Sequence, residues 1–558
     1  VDFVTSDQLR QRFLDFFGEH DHRVMPAAPL IPSDPTTLFT IAGMQPFVPA
    51  FRGEVPRPAP RVATCQKCLR IDDLEQVGRT ARHETFFEML GNFSFGDYFK
   101  REAIVWAWEL VTKDYGIPGD RIWITVHPED KEAPGIWLKD VGIPPERIVP
   151  VEDNWWPTGG ALGPCGPDSE LVYDMGEELG CGKPECGPAC DCDRWNEFWN
   201  LVFQQYNKDA EGNLTPLPTQ NIDTGMGLER LAMLLQGHTT IFATDLFTPI
   251  LDYVAQMARE ARNTFRYGAD PAADEAARII ADHARAVTFM VADGVTPGNE
   301  GRGYVLRRLI RRSARLGRRL NLPMPFMSRV APVVVRHMSA AYPELSGKQD
   351  VIVKFVQAEE HRFNETLEQG SQLLDRVVEK AKSARESTIP GATAFELYDT
   401  YGFPYELTVE MAGEQGLAVD EQGFLEAMEQ QRERARAAAA QSFAYRGAEG
   451  YAAMAGQTAF CGYEELDARA TVLHILKDGK QAENARAGDR AEVILDYSPF
   501  YAEAGGQVGD TGVLEAESVK AQVENAHHPA EGVHALAVHV EEGELVRGEQ
   551  VRAVVDAD

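Results

Sequence analysis

With 558 residues, 44% hydrophobic and 25% charged, the chain is too long for a single core and too apolar to stay disordered. A net charge of −31 excludes wholesale coating by nucleic acid but leaves room for a local basic face. Eight cysteines do not make a disulfide scaffold in a chain this long, and no run approaches the ~18 apolar residues of a membrane span, so a reducing cytoplasm is expected.

The opening segment has Asp2 and Asp7 and no apolar stretch of the kind a secretory signal needs. Thr5 to Glu19 reads as a helix, with Thr5 and Gln8 as a capping box and Leu9, Phe13, Phe16 and Phe17 as its apolar stripe. A Pro-rich passage leads into LFTIAGM, which is strand-like. From Cys68 to Lys100 the pattern is strand, loop, strand, with Arg70 before the loop and Arg82 after it. Arginine suits bidentate recognition of phosphate or carboxylate. Such a hairpin can hold a nucleotide triphosphate without a Walker loop, or it can be an ordinary hairpin with solvated arginines. Glu102–Thr112 reads as a helix, and Arg121–Pro128 and Arg147–Val151 as strands. Gly159 to Pro167, GGALGPCGP, reads as a tight loop.

Cys181, Cys186, Cys190 and Cys192 place four thiols in twelve residues. They suit a structural zinc in number, but their spacing is not that of common zinc folds, so reduced thiols in an irregular loop are the alternative. EFWNLVFQQY, residues 197–206, is an apolar strand interrupted by Glu197 and Asn200, polar groups that must be paired or face a site. NIDTGMGLER follows, with Asp223 at a strand end, Gly225 and Gly227 allowing close backbone approach, and Arg230 one turn into a helix whose N-terminus favours an anion. The glycines could equally serve only the strand-to-helix turn.

From about Ile241 long amphipathic helices take over. Within GRGYVLRRLIRRSARLGRRL, Leu306, Leu309, Ile310, Leu316 and Leu320 share one buried stripe and six arginines cover the other side. With no acid interspersed, a polyanion or a nearby acidic surface must neutralise them, and nucleic acid is the favoured reading. A helix near Asp350 carries a packing stripe of Ile352, Phe355, Val356, Phe363, Leu367, Leu374 and Val378. From about Gln457 short alternating strands suggest an antiparallel barrel containing a glycine loop, Gly505-Gly506-Gln507. The last strand-like segment runs to Asp558 without a polar tail, as if cut within a longer chain.

Taken together, LFTIAGMQPF, CQKCLR, RTARHETFFEMLGNFSFGDYFK, GPCGP, FWNLVFQQYN, NIDTGMGLER, ADHARAVTFM, NEGRGYVLRRLIRR and YDTYGFP closely resemble, in order, the alanyl-tRNA synthetases of bacterial type, a class II family. The resemblance implies an α+β fold: an antiparallel sheet flanked by helices over residues 1–240, a helical tRNA-recognition domain over 241–445, and a β-barrel over 446–558. It further implies activation of L-alanine with ATP and Mg²⁺, then transfer to tRNA-Ala.

Residue by residue, the resemblance gives Arg70 the α-phosphate and the alanine carboxylate, Arg82 the phosphates, and Arg230 the adenine face and γ-phosphate. Phe86 would stack on adenine, with Glu88, Met89 and Gly227 completing the ATP site. Asp223 would bind the ammonium, while Met44, Trp156, Asn200, Val202 and Gly225 would enclose the methyl group. Glu197 and Asn200 are candidate Mg²⁺ ligands. Asn299 and Asp399 would read a G·U pair in the acceptor stem, and Arg302, Arg307 and Arg311 would contact tRNA phosphates. The family edits with zinc held by HxxxH and a later Cys-xxx-His, and no two of the 13 histidines lie four apart, so neither that zinc nor clearance of Ser-tRNA-Ala is expected. Glu84 departs from the family's usual histidine, leaving its role open. Rival readings are a non-catalytic tRNA-binding relative and an amino-acid:carrier ligase. Neither membrane association nor oligomerisation is predicted.

Overall fold

The computed structural model describes the whole chain except residues 1–3, 34–36, 157–162, 210–211, 262–264, 402, 404, 443–457, 463–464, 478–479, 503–508, 517, 528–533 and 557–558. The Gly505–Gln507 loop therefore lies outside the described residues. Two compact units divide the chain, one of Val1–Ile389 with Glu396–Val419, the other of Pro390–Phe395 with Asp420–Asp558.

The first unit is built on a nine-stranded sheet. Its central strands run Arg61–Leu69, Phe86–Phe95, Leu214–Gly227, Trp195–Lys208, Gly163–Asp174 and Ile122–Val126 in spatial order, every neighbouring pair antiparallel. Short parallel strands, Arg23–Val24 and Ile148–Pro150, finish the two edges. Helix Ser6–Glu19 starts with the predicted capping box and buries Leu9, Phe13, Phe16 and Phe17. One apolar core runs from these residues through the sheet and on into helices Thr248–Glu260, Pro271–Ala292, Gly301–Arg319, Met327–Met338 and Glu344–Ala384.

Two segments depart from the sequence reading. LFTIAGM forms turns leading into a 3-10 turn at Gln45–Phe47, not a strand. Gly163–Pro167 belongs to a strand rather than a loop. Its glycine has a packing cause: a Cβ at Gly166 would lie 2.0 Å from the Phe203 carbonyl oxygen on the neighbouring strand.

The arginine-rich helix buries Leu306, Leu309, Ile310, Leu316 and Leu320 as predicted. Its arginines are not uncompensated, because the acids that balance them come from elsewhere in the chain. Arg311 is buried and bonds Glu359 at 2.8 Å, so it does not offer itself to tRNA phosphate. Arg308 pairs with Glu75 at 3.3 Å, and Arg312 donates to the Leu74 carbonyl at 2.9 Å. Along Glu344–Ala384, Phe355 leaves the packing stripe and is 36% exposed.

In the second unit, six strands close into an antiparallel barrel, Asp467–Lys477, Arg490–Leu495, Ala535–Val546, Val519–His527, Gly512–Ala516 and Gln550–Val555, the last pairing with the first. Closure removes exposed strand edges. Alternating residues such as Val472, Val493, Leu514, Val523, Val538 and Val540 fill its interior.

Candidate active site

A strand sends successive side chains to opposite faces, and this parity organises the site. In register, Asp223 lies opposite Val202, Gly225 opposite Asn200, and Gly227 opposite Met89. The next strand sets Asp168 opposite Val202 and Glu170 opposite Asn200. Residues two apart on four neighbouring strands thus share one face: 87 and 89, 223 to 227, 200 and 202, 168 and 170. They line a cleft of about 270 Å³, together with Ala42, Arg70, Asp73, Arg82, His83, Glu84, Asp153, Trp156, Glu197, Phe198 and Arg230. A bulge opposite Leu171 and Val172 breaks the alternation, and Glu197 reaches the cleft from it.

Each cation of the cleft is held. The Arg70 guanidinium lies over Phe87 at 5.1 Å and Trp156 at 5.7 Å, and its Nε donates to the Ile41 carbonyl at 3.0 Å. Arg230 donates to the Glu197 carboxylate at 2.7 Å and to its carbonyl at 2.6 Å. Arg82 donates to the Cys192 carbonyl at 2.9 Å and pairs with Asp191. Gly225 is required by Met89, whose sulfur would lie 2.7 Å from an added Cβ.

The carboxylates are held for a different reason. Asp223 is buried, accepts a hydrogen bond from Gln204 Nε2 at 3.2 Å, and burial pushes its carboxyl up to about 7. Burial and then Glu197 push Glu170 up to about 7 as well. Asp168 is held well above the ordinary carboxylate range by burial and then by Glu170, although Asn154 donates to it at 2.8 Å and Asn200 at 3.4 Å. With Glu84, four raised carboxyls lie in one small cleft beside three arginines, a site that would gain by taking up a cation on one side and an anion on the other.

Most residues assigned from the sequence converge here: Arg70, Arg82, Met89, Trp156, Glu197, Asn200, Val202, Asp223, Gly225, Gly227 and Arg230. Three do not. Phe86 is fully buried on the opposite face, stacked on Phe289 at 4.1 Å, while its neighbour Phe87 faces the cleft. Glu88 shares that far face. Burial is the largest influence and would raise it, but Arg10, donating at 2.7 and 2.8 Å, together with Arg285 and the Tyr342 hydroxyl, holds it below the ordinary range. Met44 sits behind the wall in an apolar cluster with Met89 and Trp156, and Ala42 lines the cleft in its place. Asp168, Glu170 and Phe87 escaped the sequence reading although strand parity would have found them.

The far face explains Glu84. Arg285, fully buried, bonds Glu229 at 2.5 Å and lies 3.5 Å from Glu84 and 3.8 Å from Glu88. Arg10 and Arg285 supply two charges against three carboxyls; burial, then Glu229, push Glu84 well above the ordinary range, and burial raises Glu229 too. Glu84 also lines the cleft, so it joins the site to this buried cluster.

The four cysteines converge too, their sulfur atoms all within 4.8 Å of one another. Asn299 is exposed and accepts from Arg307, which also lies 3.2 Å from Glu359. Arg302 donates to the Thr37 carbonyl at 3.1 Å and to that of Leu38. Asp399 is exposed on helix Gly391–Tyr401. Among the described residues no helix is long and apolar enough to cross a membrane.

The family model for tRNA synthetases class II (A) matches residues 8–558. The chain belongs to this family. Curated relatives named "Alanine--tRNA ligase" from Desulforudis audaxviator and Pelotomaculum thermopropionicum are each 49% identical to this class II synthetase over 560 residues. A third, from Carboxydothermus hydrogenoformans, is 47% identical over 560 residues. Each match covers 99% of this chain and 63% of the relative, so the chain spans under two thirds of their length. A histidyl-tRNA synthetase structure from S. aureus matches 47% of this synthetase and 78% of its own chain at 12% identity, with a TM-score of 0.27, too slight a likeness to inform the fold.

Proposed function

We propose that the chain activates L-alanine with ATP, releasing pyrophosphate, and transfers the alanyl group to the 3′ end of tRNA-Ala. The observation that carries this reading is Asp223, a buried carboxyl with no cationic partner among the described residues, facing a cleft that also holds Arg70, Arg82 and Arg230. An amino-acid ammonium supplies the charge Asp223 lacks, and the arginines suit a carboxylate and a chain of phosphates. Val202, Trp156 and Asn200 crowd the position beside Asp223, which suits a side chain as small as methyl. The relatives' printed name supports alanine in particular.

The chemistry needs no protein nucleophile. An oxygen of the alanine carboxylate attacks the α-phosphorus and pyrophosphate leaves; a ribose hydroxyl of the terminal adenosine then attacks the adenylate's carbonyl, and AMP leaves. Charge accumulates at phosphorus, so the protein contributes alignment and fixed cations. Arg70 takes the α-phosphate and the carboxylate, already oriented by Phe87 and Trp156. Phe87, not Phe86, offers its face to adenine, with Arg230 covering the other side and Arg82 reaching the outer phosphates. Glu197 and Asn200 fit a magnesium ion, because both are hard oxygen donors and Asn200 Oδ1 is buried without a hydrogen-bond partner among the described residues. Bound there with ATP, the ion would offset phosphate charge. For tRNA, Asn299 and Asp399 are proposed to read the G·U pair, with Arg302 and Arg307 nearest the backbone. The setting of this work is proposed to be the cytoplasm.

Alanine-dependent ATP–pyrophosphate exchange tests the reading. Exchange with alanine and its loss in Arg70→Ala support it; a folded chain that exchanges no pyrophosphate with alanine refutes it and favours a non-catalytic tRNA-binding role.

A further inference from the structure

We propose that Cys181, Cys186, Cys190 and Cys192 bind one zinc ion as a tetrathiolate, and that this ion holds the loop that anchors Arg82. The sulfur geometry is the first argument. Cys181 Sγ lies 3.6 Å from Cys190 Sγ, and Cys186 Sγ lies 3.7 Å from Cys192 Sγ, with all four within 4.8 Å. A tetrahedron with zinc–sulfur bonds of about 2.3 Å has edges of about 3.8 Å. A disulfide needs sulfurs at about 2.05 Å, so neither pair is bonded. Among the described residues this is the one group of metal-ligating side chains so disposed.

The second argument is what holds the loop. Residues 181–194 join two neighbouring strands, Gly163–Asp174 and Trp195–Lys208, and not one of them is buried. Ordering backbone is costly in conformational entropy, and a loop without apolar burial has little to offset it. The base is clamped by Arg194, which bonds Asp174 through two contacts of 2.8 Å, and nearer the tip Arg82 holds Asp191 and the Cys192 carbonyl; Cys181 and Cys190, on the outer side, call for a clamp of their own. A cross-link through four thiolates supplies one. Trp195 Nε1 donates to Cys186 Sγ at 3.3 Å, the outer hydrogen bond that metal-bound thiolates commonly receive.

The third argument is the consequence for the cleft. Arg82 donates to the carbonyl of Cys192 and pairs with Asp191, so two of its anchors lie at or beside a ligand position. An ordered knuckle keeps this guanidinium aimed into the cleft it lines. This link to ATP rests on the function proposed above; the metal site does not.

The test uses the full 558-residue chain, dialysed after exposure to zinc chloride, with metal measured by plasma mass spectrometry. About one zinc per chain is expected, and a cobalt-exchanged sample should show thiolate charge-transfer bands and the intense visible bands of a tetrahedral site. Replacing Cys181→Ser and Cys190→Ser together should abolish metal uptake, while Cys461→Ser, a buried barrel cysteine, should retain it. In the double variant the KM for ATP in pyrophosphate exchange should rise roughly tenfold or more with KM for alanine little changed, as expected when one phosphate ligand loses its aim. Zinc well below stoichiometric, zinc retained by the double variant, or a cobalt spectrum without thiolate bands would overturn the site. Unchanged KM for ATP in a metal-free variant would overturn the link to Arg82. A chain that holds zinc but exchanges no pyrophosphate refutes the proposed activity and leaves the site standing.

Discussion

Asp223→Asn should make the protein more stable and less able to use alanine. The carboxyl has an ordinary value of 3.8, and burial beside Gln204 raises it to about 7. Between those values the folded state holds a proton that the unfolded chain has released, so stability falls as pH rises through this window and stays low above it. At about pH 8 the full penalty is ~4 kcal/mol, a ceiling because local relaxation lowers it. Asparagine keeps the shape and the contact with Gln204 without the charge. Thermal unfolding should therefore show the variant more stable than wild type near pH 8 and matching it near pH 4, by ~1–2 °C per kcal/mol in a unit this large. In exchange assays the variant should lose alanine dependence, since no anion remains for the ammonium. Alanine should raise the wild-type midpoint and leave that of the variant unmoved. Wild-type KM for alanine should climb about tenfold per pH unit as pH falls below about 7, because the proton and the ammonium compete for one carboxylate. The reasoning fails if both proteins show the same pH dependence of stability, or if the variant keeps its alanine KM.

The two faces of the hairpin strand can be told apart by paired substitutions. Phe87→Ala should raise KM for ATP at a smaller cost in stability, since Phe87 keeps an open side toward the cleft, whereas Phe86→Ala, which empties a stacked core position, should cost about 3–5 kcal/mol in denaturant unfolding with ATP affinity intact in the folded fraction. Arg285→Met should destabilise by about 3–5 kcal/mol, because Glu84, Glu88 and Glu229 lose a shared buried partner; a Glu229→Gln substitution on top should recover part of it. Asn299→Ala should lower charging of tRNA-Ala far more than pyrophosphate exchange, and equal loss in both assays would count against its role in reading the G·U pair.

What was legible in the sequence follows from how far each argument had to reach. The first helix and the leucine stripe of the arginine helix are properties of their own segments, so periodicity found them. The partners of that helix are not. Glu75 sits in the hairpin loop and Glu359 on a helix further along, and nothing local to Arg308 or Arg311 says that acids will be delivered there. Gly163–Pro167 misled for a related reason. Glycine and proline usually mark a loop, but Gly166 is small because the Phe203 carbonyl presses on it from the next strand. Once that segment was read as a loop, the parity of Asp168 and Glu170 was lost and two carboxyls of the cleft went unseen. The resemblance to a known family supplied Arg70, Asp223 and Arg230 correctly as cleft residues, yet it slipped by one position at Phe86, a step that on a strand moves a side chain through the sheet.

That slip also shows why the two faces cannot vary independently. Phe87 and Met89 build the cleft, while Phe86 and Glu88 on the same strand hold Arg10, Arg285 and Phe289, and with them the helices Ser6–Glu19 and Pro271–Ala292. Glu84 stands just before this strand, touching Arg285 on one side and the cleft on the other. Burial and then Glu229 raise its carboxyl well above the ordinary range, which favours the neutral acid beside the cleft where phosphates are proposed to lie. A histidine at this position would add its own proton chemistry beside Arg285, whereas a neutral acid adds no charge. Glu84→Gln, which fixes that neutral state, should therefore leave exchange and stability close to wild type, whereas Glu84→Lys, which sets a second cation against Arg285, should impair both. A large loss of exchange in Glu84→Gln would mean that the carboxyl works ionised, and the charge assignment of the whole cluster would have to be reversed.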